Sequence, residues 1–128
     1  MSLKSNLVSL KDFAKGSKIG YGATHTTEKD SKIAILPIGY ADGYPRLISN
    51  RGAVLVQGKR APVVGRVSMD LMAIDVTEIP EAQIYDEAVL IGEQSGDRIS
   101  IEEVASWAET ISYEIMTGIQ ERVSREYV

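Results

Sequence analysis

Six short apolar runs rich in valine and isoleucine, at residues 7–10, 33–38, 53–56, 62–67, 72–76 and 88–91, constrain the fold of this chain more than any other feature. Each is strand-length and bounded by turn formers, and no long helical pattern separates them. Strands at this spacing predict a mainly β protein, an antiparallel sheet closed as a barrel or sandwich, with a Greek-key-like β-barrel as the expected form. Residues 53–64 read as a hairpin turning at Gly58, and Pro62 predicts an edge strand or an early strand position. One short amphipathic helix is expected near residues 100–110. Ser100 and Glu103 make a capping-box pattern, and Ile101, Val104, Ala105 and Ala108 recur at helical spacing as one apolar stripe with Trp107 at its rim.

The 128 residues suit one domain, 1–128, long enough to bury a core without disulfide or metal staples. There is no cysteine, which removes thiolate catalysis and cysteine-based zinc sites and is compatible with a reducing cytoplasm. Fourteen basic and eighteen acidic residues give a net charge of −4 with no long basic run, which argues against a general nucleic-acid or anionic-membrane binder. No apolar segment approaches the ~20 residues that span a bilayer, and no charged-then-apolar leader opens the sequence.

Three segments carry more chemistry than strands require. The richest is Pro37-Ile38-Gly39-Tyr40-Ala41-Asp42-Gly43-Tyr44-Pro45-Arg46, where an apolar run breaks into glycines, two tyrosines, an acid and an arginine. Similar interruptions occur at Gly20-Tyr21-Gly22 and at Gly65-Arg66-Val67-Ser68-Met69-Asp70. Flanking glycines let the backbone turn sharply and present a phenol or carboxylate outward. Six of the eight aromatic residues are tyrosine, whose polar tip suits the edge of a β core or a site.

Familiar motifs fail letter by letter. Gly20-Tyr21-Gly22-Ala23-Thr24-His25 has histidine where a dinucleotide loop needs its third glycine, and the segment from Gly52 to Lys59 has the wrong spacing for a P-loop. His25 is the only histidine, so no multi-histidine metal cluster is expected, and no serine stands in a nucleophile elbow. Asp42, Asp70 and Asp75 lie near apolar or glycine-rich segments, where the ordinary expectation is a structural salt bridge to Arg46 or Arg66.

Taken together, the three interruptions resemble the C-terminal domain of bacterial alanine racemases. The later segments Asp75-Val76-Thr77, Leu90-Ile91-Gly92, Thr110-Ile111-Ser112-Tyr113-Glu114-Ile115 and Arg122-Val123-Ser124-Arg125-Glu126-Tyr127 keep the same order, so the resemblance covers nearly the whole chain. It implies a pyridoxal 5'-phosphate cofactor held on a lysine of an N-terminal (β/α)8 barrel. It also implies a β-rich C-terminal domain packed on the barrel of a second subunit in a homodimer. Two-base racemisation of L- and D-alanine, for peptidoglycan synthesis in the bacterial cytoplasm, is the implied reaction.

The resemblance assigns Tyr21 as the catalytic base opposite the cofactor lysine, and the Met69 backbone N–H as a contact to the substrate carboxylate. Tyr40 narrows the substrate entrance, Asp70 orients the adjoining loop, Arg46 and Arg66 line the outer access channel, and Tyr113 reaches the cofactor phosphate. The sequence departs from the family pattern at His25, Ser68, Leu71 and Ser124. Without the barrel the domain is expected to be inactive and to expose an apolar face. Two other readings stay open here: the same domain in a membrane-bound serine or alanine racemase of glycopeptide resistance, and a noncatalytic β-barrel binding or assembly module.

Overall fold

The computed structural model describes residues 2–19, 24–120 and 123–124. Ten strands and two short helices follow in order: β1 Leu3–Asn6, β2 Ser9–Phe13, β3 Lys18–Ile19, β4 His25–Thr26, β5 Ser31–Leu36, β6 Ala53–Val56, β7 Lys59–Val64, β8 Met72–Asp75, β9 Glu87–Gln94, β10 Asp97–Ile99, α1 Ile101–Trp107 and α2 Ser112–Gly118. Every ladder is antiparallel. The main sheet runs β1-β9-β6-β7-β8-β5-β2, with β10 added to β9, while β3 and β4 form a separate hairpin. No helix among the described residues is long and apolar enough to cross a membrane.

The sheet path does not close as an uninterrupted ladder. Its end strands, β1 and β2, are successive pieces of one segment that breaks at Leu7 and Val8. Leu7 is fully buried and trades backbone bonds with the 85–86 turn, donating to Asp86 C=O and accepting from Tyr85 N–H, whereas Val8 N–H already donates to Ile35 C=O of β5. The apolar run at 7–10 is therefore a crossing between the two ends of the sheet rather than one strand.

Alternation of side chains explains why the sheet is buried on both faces around β5, β7 and β8. Ala34, Leu36, Val63, Met72 and Ile74 join the main core with Leu55, Leu90 and Ile99. Ile33, Val64 and Ala73 point the other way and meet Ile19 of the β3–β4 hairpin, with Phe13 and Ile35 packed alongside. Complete burial of each large aliphatic side chain contributes about 1.5–3 kcal/mol.

The predicted hairpin forms, with Gln57 and Gly58 both at positive φ in its two-residue turn. Pro62, however, lies in β7, an interior strand of the sheet path. It is tolerated because the β7–β8 ladder registers only Val63 with Ile74 and Val64 with Ala73, so position 62 stands beyond it.

Helix α1 is capped as its sequence predicts at one half of the box: Ser100 Oγ accepts the Glu103 N–H at 3.1 Å. The Glu103 carboxylate turns instead to Arg60, making two hydrogen bonds of 2.5 and 3.0 Å. The helix ends at Trp107, short of Thr110, because Glu109 adopts φ +57° and Thr110 N–H closes back onto Ala105 C=O. The second helix, α2, is an addition to the single helix expected from the sequence. Its seven residues include tyrosine, isoleucine and threonine, and Ile111 provides no side-chain cap. Burial of Ile115 and Ile119 in the main core supplies what local propensity does not.

Candidate functional site

The glycine-rich segment after β5 is built around one 3-10 turn, Tyr40–Asp42. Ile38 is buried and ends the strand's apolar run, and the chain then leaves the sheet through Gly39. The turn closes through Asp42 N–H to Gly39 C=O and Gly43 N–H to Tyr40 C=O, both 3.0 Å. The Asp42 carboxylate, 6% exposed, accepts the Gly39 N–H at 3.0 Å. Among the described residues no ion pair joins Asp42 to Arg46, the partner expected from the sequence. Asp75 likewise accepts from Thr77, through both its N–H and its hydroxyl, rather than pairing with an arginine.

After β7, the 68–71 loop is tied by Ser68. Its hydroxyl donates to Leu71 C=O at 2.8 Å and accepts from Leu71 N–H at 3.1 Å. The 39–43 turn grips this loop directly: Tyr40 N–H donates to Ser68 C=O and Ala41 N–H to Met69 C=O, each at 3.0 Å. Tyr40 and Met69, predicted from separate motifs, are thus neighbours, with side chains 46% and 52% exposed. The Met69 N–H makes no hydrogen bond among the described residues. Asp70, the next residue, is also exposed.

Arg46 and Arg66 come together as well. With Leu47, Ser49 and Arg51 they line an open cleft of about 470 Å³. Arg51 pairs with Glu109 at 3.3 Å, and no ion pair joins Arg46 or Arg66 to a carboxylate among the described residues. Three guanidiniums against one carboxylate make this a positive patch on a chain whose net charge is −4. A cleft of similar size beside β2 and β5, lined by Asp12, Phe13, Lys32 and Thr77 among others, contains none of these residues.

Tyr113 lies in the first turn of α2 and is 70% exposed, its hydroxyl free of hydrogen bonds among the described residues. The far end of that helix meets the 39–43 turn, where Gln120 N–H donates to Asp42 C=O at 3.0 Å. Tyr21 lies outside the described residues, between β3 and β4. Thr24, just beyond it, is held by Asn50, whose amide donates to Thr24 Oγ1 at 3.1 Å and accepts from Gly65 N–H at 2.6 Å. Asn50 therefore ties the hairpin to the loop carrying Arg66. Sequence reasoning passed over Asn50 and Arg51. The signal was Asn50 before Arg51-Gly52, since asparagine tolerates the left-handed backbone found there, φ +58°. Among the described residues no group of three or more histidines or acids could hold a metal ion.

The arrangement matches known proteins from end to end. Residues 1–127 match the family described as alanine racemase, C-terminal domain. The chain belongs to the alanine racemase C-terminal domain family. It is 54% identical over 127 residues to the alanine racemase of Halothermothrix orenii, covering 99% of this chain and 34% of that protein. With the alanine racemase of Thermodesulfovibrio yellowstonii it shares 47% over 128 residues, covering 100% and 35%. Among solved structures, the biosynthetic alanine racemase from Pseudomonas aeruginosa superposes with a TM-score of 0.92 at 42% identity, covering 99% of this chain and 34% of that one. The alanine racemase from Bartonella henselae, solved with covalently bound pyridoxal phosphate, gives a TM-score of 0.92 at 33% identity over 99% of this chain and 34% of its own. The chain thus spans about a third of the length of the alanine racemases it matches.

Proposed function

We propose that this domain is the C-terminal part of a pyridoxal-phosphate-dependent alanine racemase that interconverts L- and D-alanine for peptidoglycan synthesis in the bacterial cytoplasm. The observation that carries the reading is the Met69 N–H, without a hydrogen-bond partner among the described residues and held beside exposed Tyr40 by two backbone hydrogen bonds in a chain matching the family over 1–127. An oriented amide of that kind can receive one oxygen of a small carboxylate, while the Tyr40 ring limits the size of what passes it. Asp70 extends the same loop. Arg46 and Arg66 attract the substrate carboxylate along the outer channel, and both are exposed to do so.

Tyr113 fits the cofactor: a solvent-facing phenol O–H without a partner among the described residues is a ready donor to a phosphate oxygen. Most of the remaining contacts to the cofactor fall to the N-terminal barrel. When bound, the cofactor supplies the electron sink that makes the substrate Cα–H acidic. Tyr21, donated across the dimer interface, exchanges the proton on one face of Cα through its phenolic oxygen, opposite the barrel lysine. A phenol titrates near ~10 in water, so that role needs a neighbouring cation or strong hydrogen bonds to the phenolate. These come from the barrel, and the domain by itself is inactive.

The test is Tyr21→Phe in the full-length protein, with racemisation followed in both directions by chiral chromatography. A fall in kcat of about 10²-fold or more supports Tyr21 as a general base. An effect confined to KM sinks that assignment and favours a noncatalytic role for the tyrosine.

A further inference from the structure

The geometry points to the 39–43 turn as a positioning element that fixes two binding groups at once, the Met69 amide on one side and the Tyr113-bearing helix on the other. The inference rests on the racemase reading above.

On the Met69 side, the C=O of Ser68 and the N–H of Met69 belong to a single peptide plane. The hydrogen bond from Tyr40 N–H to Ser68 C=O therefore sets the direction in which the Met69 N–H points. It also polarises that peptide, strengthening its N–H as a donor. The bond from Ala41 N–H to Met69 C=O pins the next plane in the same way. Such close approach depends on position 39 having no side chain. A Cβ on Gly39 would stand 2.2 Å from Ser68 O and 2.5 Å from Met69 O, and both are backbone atoms of the loop being positioned. At φ −153° Gly39 is in ordinary extended backbone, so the requirement is one of space alone.

On the other side, a Cβ on Gly43 would stand 2.1 Å from Gly118 O, the last residue of α2, and the glycine sits at φ +100° in the left-handed region. Asp42 joins the two halves: its carboxylate accepts the Gly39 N–H and its carbonyl accepts the Gln120 N–H just past α2. Together with the burial of Ile115 and Ile119 in the core, this contact at the end of α2 helps to set where Tyr113 lies. Gly39 and Gly43 have no side chains to offer a ligand and pack on the Ser68–Met69 backbone and on Gly118, so they act through Met69 and Tyr113.

The two glycines should be separable by experiment in the full-length protein, using Gly39→Ala, Gly43→Ala and Asp42→Ala. Two readouts are needed. Inhibition by propionate, which keeps the substrate's carboxylate and methyl but lacks its amino group, reports the Met69 amide alongside KM and kcat. Titration of the cofactor-free protein with pyridoxal phosphate, followed by absorbance and tryptophan fluorescence, reports the Tyr113 side without any need for turnover.

Gly39→Ala is expected to raise the propionate inhibition constant and the alanine KM about tenfold, on the order of one charge-assisted hydrogen bond, with cofactor affinity nearly unchanged. Gly43→Ala is expected to weaken cofactor binding several-fold while propionate inhibition at saturating cofactor stays put. Equal shifts of both readouts in both variants, or no shift in variants that fold, would overturn the proposal. Should either glycine variant fail to fold, Asp42→Ala, which removes the acceptor of the Gly39 N–H, decides: a weakened response in both readouts supports the coupling, and an unchanged one overturns it. A wild-type protein that neither racemises alanine nor binds the cofactor removes the racemase reading and this inference together. A fully active wild type with unmoved variants removes only the inference.

Discussion

The interior of the sheet and the face carrying the candidate site are made from similar residues but finished differently. In β6, β8 and the middle of β9, apolar side chains are buried almost completely and their backbones are paired in ladders. In the loops, turns and short helix around the site, Tyr40, Leu47, Met69, Leu71, Ile111, Tyr113 and Met116 are each about half exposed or more. The first region is satisfied by this chain alone. The second keeps, among the described residues, an amide and a phenol without hydrogen-bond partners and two arginines without carboxylates.

The sharpest way to break this contrast is to delete similar apolar groups from both regions of the 128-residue chain. Ile74→Ala, at a fully buried position in β8, should cost about 2–5 kcal/mol in urea unfolding. A loss of less than about 1 kcal/mol there would show that the sheet is not the tightly packed region described.

Tyr44→Phe probes the one polar tip enclosed on the wrong side of the comparison. The Tyr44 hydroxyl is buried without a hydrogen-bond partner among the described residues, and burial pushes its phenol well above the ordinary tyrosine range. Removing the hydroxyl should therefore raise stability by about 1 kcal/mol at unchanged urea m-value. A loss of stability would mean that the hydroxyl is satisfied in solution.

A smaller effect is expected at the ion pair that fastens the β6–β7 hairpin to α1. Arg60 holds the Glu103 carboxyl below its ordinary range, chiefly through the hydrogen bonds between them. A depressed carboxyl stabilises the fold at pH values above its unfolded pKa, and the contribution fades as pH falls through the folded value. Both side chains are about a third exposed, so solvent screening leaves about 0.5–1 kcal/mol at pH 7. Glu103→Gln should show that loss at neutral pH and converge on the parent in acid. A constant difference from pH 7 down to 3 would refute the ion-pair account.

The smallest effect belongs to the site face. Met116→Gln, at a residue 50% exposed, should change unfolding stability by less than about 0.5 kcal/mol while reducing self-association measured by sedimentation. A cost comparable to that of Ile74→Ala would erase the distinction between the two regions.

The central strands were legible because burial on both faces of the sheet demands continuous apolar runs, as in the Ile33–Leu36, Ala53–Val56 and Ala88–Ile91 stretches of β5, β6 and β9. Helix α1 was legible from its cap and stripe, but its end was not, since Glu109 takes a backbone conformation that its side chain does not advertise. Helix α2 escaped because tertiary burial of Ile115 and Ile119 outweighs a weak local preference. The break at Leu7 and Val8 escaped for a related reason: the run is continuously apolar, and only its distant partners at 85–86 and 35 reveal the change of neighbour.

At the site, the motifs marked Tyr40, Met69, Arg46, Arg66 and Tyr113 individually. Their mutual placement depends on backbone contacts between segments some thirty to seventy-five residues apart, which no local pattern encodes.

The seam in the sheet has a kinetic consequence. Because Leu3 registers with Ile91 and Ser9 with Ile35, the first segment can lie down only after both of its far-separated neighbours exist. Closure of so long a loop is entropically slow, so β1 and β2 should be among the last strands to acquire protection from hydrogen exchange during refolding. Until they do, the two borders of the sheet at β9 and β5 remain open templates for strands of other molecules, and the yield of refolded protein should fall as concentration rises.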